Sequence, residues 1–594
     1  MGAALPAPAQ SGRGPDGGGH ARQTLVITTV GVFLAFMNSS IVLISLPAIF
    51  RGLRLNPLEP ANVSYLLWLL LGYMVVTAVL VVTAGRLGDI FGRSRTFSVG
   101  FGIFTLGAAI CALDPISGGG GALFLIIARC VQGIGGAMLM ANSTALITDA
   151  FPSHRRGTAV GINQVFAQAG SCVGLLFGGL LADTSWRLVF WVSVVPGVVG
   201  TVWAARALHD KAARRHVRVD LWGNVTFGIG LVALLVGISY GIQPYHGHIT
   251  GWSSPFVLVS TFGGVAVLAA FVAVERRVAA PMFDLSLFKI RAFSMGNAAG
   301  LLASIARGGL QFMLIIWLQG IWLPQHGYAY ARTPLWAGIY LIPLTVGFLV
   351  AGPISGWLSD RFGARPFATG GMLLVAASFG LMLLLPADFS YPAFAALLVL
   401  NGIGSGLFAS PNTTGVMNAA PASERGIASG MRATFQNSGQ VLSIGLFFTL
   451  LVIGLVGTLP GSLEAGFLAH GVPLAAAHQA ATLPPVATLF AAFLGYNPVQ
   501  QLLGTHVLGA LPAAQSAQLT GGSFFPRAIS TPFTHGLEVV FIVSIVLCLL
   551  AAAASWLRGG RYVSDEAGPG DEPVRDLEEA GELAVPVAVG AGAR

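Results

Sequence analysis

The chain has 594 residues, 55% of them hydrophobic and only 9% charged, with a mean hydropathy of +0.77. Soluble domains carry about a quarter of their residues as charges, so this composition excludes a soluble globular protein and implies repeated crossings of a lipid bilayer. The formal net charge of +8 does not imply a nucleic-acid partner, because the placement of the basic residues has another explanation.

In chain order, residues 1–23 are rich in Gly, Pro and Ala and read as a disordered tail. The first apolar run, 24–50, is too long for a signal-peptide core and lacks an A-x-A cleavage site, so it reads as a retained helix. Further spans are predicted at 62–84, 96–112, 122–148, 158–182, 187–205, 220–243, 254–274, 292–322, 334–358, 367–385, 392–417, 427–457 and 535–557. Residues 458–534 form a long outer loop whose short helices are expected at the membrane surface or over the outer mouth. Residues 558–594 read as a disordered acidic tail. The four cysteines, Cys111, Cys130, Cys172 and Cys548, fall in apolar runs and are expected as free, buried thiols.

Charge placement orients this topology. With both termini in the cytoplasm, 23 of the 31 Lys and Arg residues lie on the inner side. Five lie outside (Arg51, Arg54, Arg187, Arg332 and Arg527), and three lie within helices (Arg129, Arg307 and Arg432). This is the positive-inside asymmetry of a multi-pass protein of the cytoplasmic membrane.

An internal repeat divides the chain. Residues 129–170 align with 398–439 at an offset of 269, matching Gln132 with Asn401, Gly135 with Gly404 and Gly170 with Gly439. "GRLGDIFG" aligns with "GWLSDRFG" at an offset of 271, matching Gly85 with Gly356, Asp89 with Asp360 and Gly92 with Gly363. Both copies have the same orientation, as in transporters whose two halves rock about a midplane site. The expected fold is therefore an all-α polytopic membrane protein. Its six-helix bundles, 24–205 and 292–557, are joined by a linker, 206–291, that carries two extra spans.

The run "GRLGDIFGRSR" (85–95) resembles the loop signature between helices 2 and 3 of the major facilitator superfamily, and "RCVQGIGGA" (129–137) resembles that family's basic helix-4 signature. The span count is similar to that of its fourteen-helix branch of drug:proton antiporters. The resemblance covers about 25–557. It implies alternating access, efflux of amphipathic drugs as in multidrug resistance, and protons as a coupling partner. In the signature, Gly85, Gly88 and Gly92 suit a tight turn. Asp89, Arg93 and Arg95, with Asp360 and Arg361 in the second copy, suit a charged network at an inner gate.

Two positions depart from the family pattern. Asn38 stands where the fourteen-helix branch has an Asp, with Ser40 at its Thr position. Helix 5, "GSCVGLLFGG", resembles the antiporter signature but has Leu175 in place of its proline. Gly170, Gly174 and Gly178, followed by Gly179, give that helix a small-residue packing face.

Ionisable groups inside spans are rare and usually face a cavity or a partner. Arg307 lies about 22 Å into its helix at about 1.5 Å per residue, too deep for an interface anchor. Arg129 aligns with Leu398, so the repeated scaffold does not itself require its charge. Arg432, nearer the inner end, is expected to snorkel to the interface. Gln132 and Gln311 share helix faces with Arg129 and Arg307. With Asn38, Ser40 and Asn401 they form the expected substrate or coupling cavity. Asn142, Asn163, Gln164, Gln168, Gln319, Asn412, Gln436, Asn437 and Gln440 add polarity, and Trp68, Tyr73, Trp317 and Tyr340 supply aromatic surface.

A cavity with buried arginines and no buried carboxylate suits an anionic or neutral amphiphile better than a lipophilic cation. No cofactor is expected. The sequence has no metal-spaced His/Cys cluster, no nucleophile motif and no nucleotide-binding P-loop, which speaks against an enzyme acting on lipid-linked substrates. Helix spacing alone leaves the direction open, so an importer or a carrier of lipid-like molecules of the same fold is the alternative.

Overall fold

A computed structural model describes residues 17–56, 59–151, 153–182, 184–209, 220–241, 245–246, 251–278, 281, 283–421, 424–481 and 485–559. The described residues are almost wholly helical. Fourteen helices are long and apolar enough to cross a bilayer. They are α1 (Gly19–Leu53), α2 (Ser64–Phe91), α3 (Arg93–Ala112), α4 (Gly118–Ala150), α5 (Thr158–Ala182), α6 (Leu188–Ala207) and α7 (Trp222–Gly241). The rest are α8 (Pro255–Glu275), α9 (Arg291–Gln325), α10 (Tyr330–Ser359), α11 (Ala364–Met382), α12 (Tyr391–Ala419), α13 (Ile427–Val456) and α14 (Phe524–Trp556). The tails 1–16 and 560–594 lie outside the described residues.

The repeat is visible in the packing. Helix α4 packs on α2 and α3, and α3 packs on α6; α12 packs on α10 and α11, and α11 packs on α14. The same glycines make these contacts in each copy. A methyl group at Gly135 would overlap the backbone of α3 at Gly100 and Phe104, and one at Gly404 would press on Gly371 of α11. Likewise Gly133 abuts the Tyr73 carbonyl, and Gly402 the Leu344 carbonyl. Inside lipid, with little hydrophobic drive between helices, such small-residue contacts bring backbones close enough for dispersion to hold them. The linker helices α7 and α8 pack mainly on each other, and α7 also lies along α2 and α13.

The structure moves several predicted boundaries. Helix α2 runs to Phe91, so Gly85 and Asp89 lie on its last turns and not in a loop. The reversal into α3 is made at Gly92 alone (φ 101°), and Gly363 (φ 85°) does the same between α10 and α11. These positive φ values favour glycine. We call the end carrying these two turns the signature end.

At the far end, α14 starts at Phe524, which shortens the predicted loop. The rest of that loop carries short helices at Leu459–Ala469, Leu474–Ala481, Pro485–Phe493, Val499–Ala510 and Ala513–Thr520. Every residue of Pro485–Phe493 is buried, so this segment is a plug, not a surface helix. It rests on a π-helical turn of α9, Ile316–Trp322, where Gln319 Nε2 donates to the Phe493 carbonyl at 3.2 Å. It also touches α2 and α13 and so wedges between the bundles. Beside it, Gly179 of α5 abuts Leu335 of α10, and Gly338 of α10 abuts the Leu175 carbonyl, closing the far end.

Candidate transport cavity

The glycines expected on α5 do their packing against α1: methyl groups at Gly170, Gly174 and Gly178 would overlap the carbonyls of Phe33, Met37 and Ile41. This close approach sets Ser40 Oγ 2.6 Å from Ser171 Oγ. Gln311 of α9 donates to the same Ser171 Oγ at 3.4 Å, a hydrogen bond between the bundles.

Two adjoining cavities lie between the bundles. The smaller, about 800 Å³, has a mixed wall, with Leu43, Leu70, Met74, Met140, Phe312 and Ile444 beside uncharged polar residues that include Ser39, Ser40, Tyr73, Thr77, Ser171 and Asn437. The larger, about 1240 Å³, extends toward the signature end and is lined by Gln164, Gln168, Asn297, Arg307, Asn401, Asn412, Arg432 and Gln436, among others. Phe36, Gly308, Gln311 and Gln440 line both. No Asp or Glu lines either cavity among the described residues.

Of the predicted cavity residues, Ser40, Arg307, Gln311 and Asn401 are on these walls. Asn401 Nδ2 is held by Ser378 Oγ at 2.7 Å. Asn38, Arg129 and Gln132 are not. They sit behind the wall, inside the first bundle, where Arg129 is 1% exposed. Its Nη1 donates to Asn38 Oδ1 and to Gln132 Oε1 (2.8 Å), and its guanidinium lies 4.7 Å from the centroid of the Tyr73 ring. Asn38 Nδ2 in turn donates to Ser193 Oγ at 3.3 Å. Amide oxygens and a π face thus replace a carboxylate as the surroundings of a buried cation. Tyr73 is the link, its ring meeting Arg129 on one side while the residue lines the cavity.

Arg432 departs from the expected snorkelling position. It lines the cavity, and its Nη1 donates to Gln436 Oε1 at 2.8 Å. A second residue missed by the sequence reading is Arg558, placed there in the acidic tail. It is 4% exposed and donates from Nη2 to Asn412 Oδ1 at 3.2 Å, and burial pulls its pKa down to about 10. A basic residue just past a span reads as an orientation signal, which hid its insertion between α9 and α12.

At the signature end, Arg93 bridges Asp89 (2.9 Å) and Asp149 of α4 (2.7 Å). All three belong to the first bundle, so this network does not cross to the second. The abrupt turn at Gly92 starts α3 at once and aims Arg93 back at α2. Gly88 lets α2 approach Asn142, whose Nδ2 donates to the Ala84 carbonyl at 3.1 Å, whereas a methyl at Gly85 would meet nothing closer than 3.9 Å. Arg95 is exposed, and Arg361 lies over the Phe362 ring at 5.6 Å. The Asp360 side chain lies outside the described residues. All four cysteines are free thiols; Cys111 and Cys548 are buried as expected, whereas Cys130 and Cys172 are only partly buried.

The sequence and fold find clear counterparts. The sequence profile of the Major Facilitator Superfamily matches residues 28–223 and again 217–444. The "Multidrug resistance protein Stp" of Mycobacterium tuberculosis is 30% identical over 444 residues, 74% of this chain and 78% of that protein. The "Tetracenomycin C resistance and export protein" of Streptomyces glaucescens is 27% identical over 94% of this chain and 95% of its own length. A crystal structure of a bacterial homologue of the human lysosomal transporter Spinster, inward-facing and unoccupied, shares the fold. It has a TM-score of 0.51 and 14% identity, covering 91% of this chain and 98% of that one. With its repeated six-helix bundles, linker pair and interbundle cavity, the chain belongs to the Major Facilitator Superfamily of membrane transporters.

Proposed function

We propose that this protein exports amphipathic small molecules across the cell membrane by alternating access, and that its cavity favours anionic or neutral amphiphiles over lipophilic cations. The observation that carries the charge preference is the presence of Arg307 and Arg432 on a cavity wall that holds no Asp or Glu among the described residues. In a partly dehydrated cavity an uncompensated guanidinium attracts anions and repels cations more strongly than it would in water. The export direction rests on the resistance and export proteins it resembles. The signature end is read as cytoplasmic, because the basic residues concentrate there.

Proton coupling rests only on the resemblance to the fourteen-helix drug:proton antiporters. The position where the fourteen-helix branch has an Asp holds an amide here, and that amide already accepts from Arg129. A coupled proton would therefore titrate away from this position.

Transport in proteoliposomes tests the reading. An amphipathic aryl sulfonate should be carried faster than a lipophilic quaternary ammonium dye of similar size, with lumenal pH recorded in the same run. Strong transport of the cation alone, unaffected by Arg307→Ala, would contradict it.

A further inference from the structure

The two cavity arginines are not equivalent, and their difference gives the cavity a direction. The Arg307 guanidinium makes no hydrogen bond or ion pair with any described residue, although Arg307 lines the larger cavity. Arg432 is already engaged by Gln436 one helical turn away. Their depths differ as well. Gly308, next to Arg307, packs directly on the Cα of Gln440, so Arg307 lies level with that residue of α13. Arg432 lies eight residues earlier on α13, about 12 Å nearer the signature end at about 1.5 Å per residue. Beyond Arg307, toward the far end, the arginine-bearing cavity passes into the smaller one, which has no charged residue on its wall among the described residues and carries Leu70, Met74, Phe312 and Ile444.

We infer that the two arginines are anion stations in series for one substrate, an aromatic or aliphatic amphiphile bearing a single anionic group. Arg432 meets the anionic group near the cytoplasmic mouth. Arg307 then holds it at the junction of the two cavities, while the apolar body occupies the compartment walled by Leu70, Met74, Phe312 and Ile444. The bound molecule is thus oriented with its body toward the far end and its charge toward the cytoplasm. Roofing this compartment from outside is the aromatic stack of the plug: Phe312 lies 6.3 Å from Phe448 and 5.8 Å from Phe493, and Phe448 lies 5.0 Å from Phe490, between ring centroids. This assignment rests on the anion preference proposed above and specifies which side chain supplies it.

A matched pair of probes separates the two ideas. 8-Anilinonaphthalene-1-sulfonate and N-phenyl-1-naphthylamine share an aromatic skeleton, and only the first carries a sulfonate. Binding is followed by fluorescence on the full-length protein in nanodiscs, with empty nanodiscs subtracted. The wild type should bind the sulfonate more tightly. Arg307→Gln should weaken sulfonate binding about tenfold and naphthylamine binding less than twofold, and Arg307→Lys should recover part of the loss. Arg432→Gln should slow sulfonate association and dissociation together in stopped-flow traces, changing affinity about threefold or less.

A wild type that binds both probes equally would overturn the charge preference itself. A wild type that prefers the sulfonate, with the preference intact in Arg307→Gln, would overturn only the serial arrangement. So would an Arg432→Gln affinity loss equal to that of Arg307→Gln.

Discussion

Arg129 and Arg307 look alike in sequence. Each is a lone cation within a span, each has a glutamine on the same helix face, and neither has a carboxylate nearby. Their surroundings differ sharply. Arg129 is enclosed in the first bundle, with Asn38, Gln132 and the Tyr73 ring against its guanidinium. Arg307 lines the interbundle cavity, and its guanidinium makes no hydrogen bond with any described residue. The first cation is built into the scaffold, and the second is left available. A buried charge is costly unless its surroundings offset it. Two amide oxygens and a π face do so for Arg129, although its Nε has no hydrogen-bond partner among the described residues. Its enclosure therefore argues for structure, whereas a guanidinium without a side-chain partner beside a cavity argues for a ligand.

The larger loss of stability is expected at Arg129. Arg129→Ala leaves Asn38 Oδ1 and Gln132 Oε1 without this donor and opens a void, and should cost roughly 2–5 kcal/mol of stability. Arg307→Ala removes no side-chain hydrogen bond to a described residue and should change stability by under about 0.5 kcal/mol in either direction. Thermal unfolding of the two variants in the same detergent checks this; equal losses would remove the distinction.

A smaller effect of opposite sign is expected from Asn38→Asp. It places a carboxylate against an already buried cation and should raise stability by about 1–2 kcal/mol, read as a higher thermal midpoint. The corresponding change beside the cavity, Gln440→Glu, should leave the midpoint nearly unchanged. It should instead lower sulfonate binding and raise binding of a lipophilic cation, because it offsets the charge of Arg307. At the signature end a loss smaller than that of Arg129→Ala is expected. Arg93→Ala breaks partly exposed ion pairs within one bundle and should cost about 1 kcal/mol or less, a loss that should shrink further in high salt.

The architecture was legible in the sequence because bilayer physics writes it in hydropathy and in the placement of arginines. The repeat was legible because both copies need glycine at the same helix crossings, as Gly133 with Gly402 and Gly135 with Gly404 show. The site was only half legible. Depth along a helix can be counted, and it placed Arg307 mid-membrane. The direction a residue faces around the helix depends on tertiary packing, so counting could not separate Arg129 from Arg307. For the same reason Arg432 read as an interface anchor, although the packing of α9 on α13 turns it into the cavity. "GRLGDIFG" read as a loop because its charges end the apolar run, whereas the helical backbone continues to Phe91. For Pro485–Phe493 the sequence left a surface helix and a cap over the outer mouth undecided, since an apolar nine-residue segment has the same composition on a membrane surface as in a protein core.

The most direct test of the account is the rate of aryl sulfonate transport into everted proteoliposomes by Arg307→Gln, normalised to folded protein and set beside wild type. Loss of a charge-assisted contact predicts a fall of about tenfold or more, with an unchanged thermal midpoint. Wild-type transport of the sulfonate by Arg307→Gln would contradict the assignment of this arginine to the substrate.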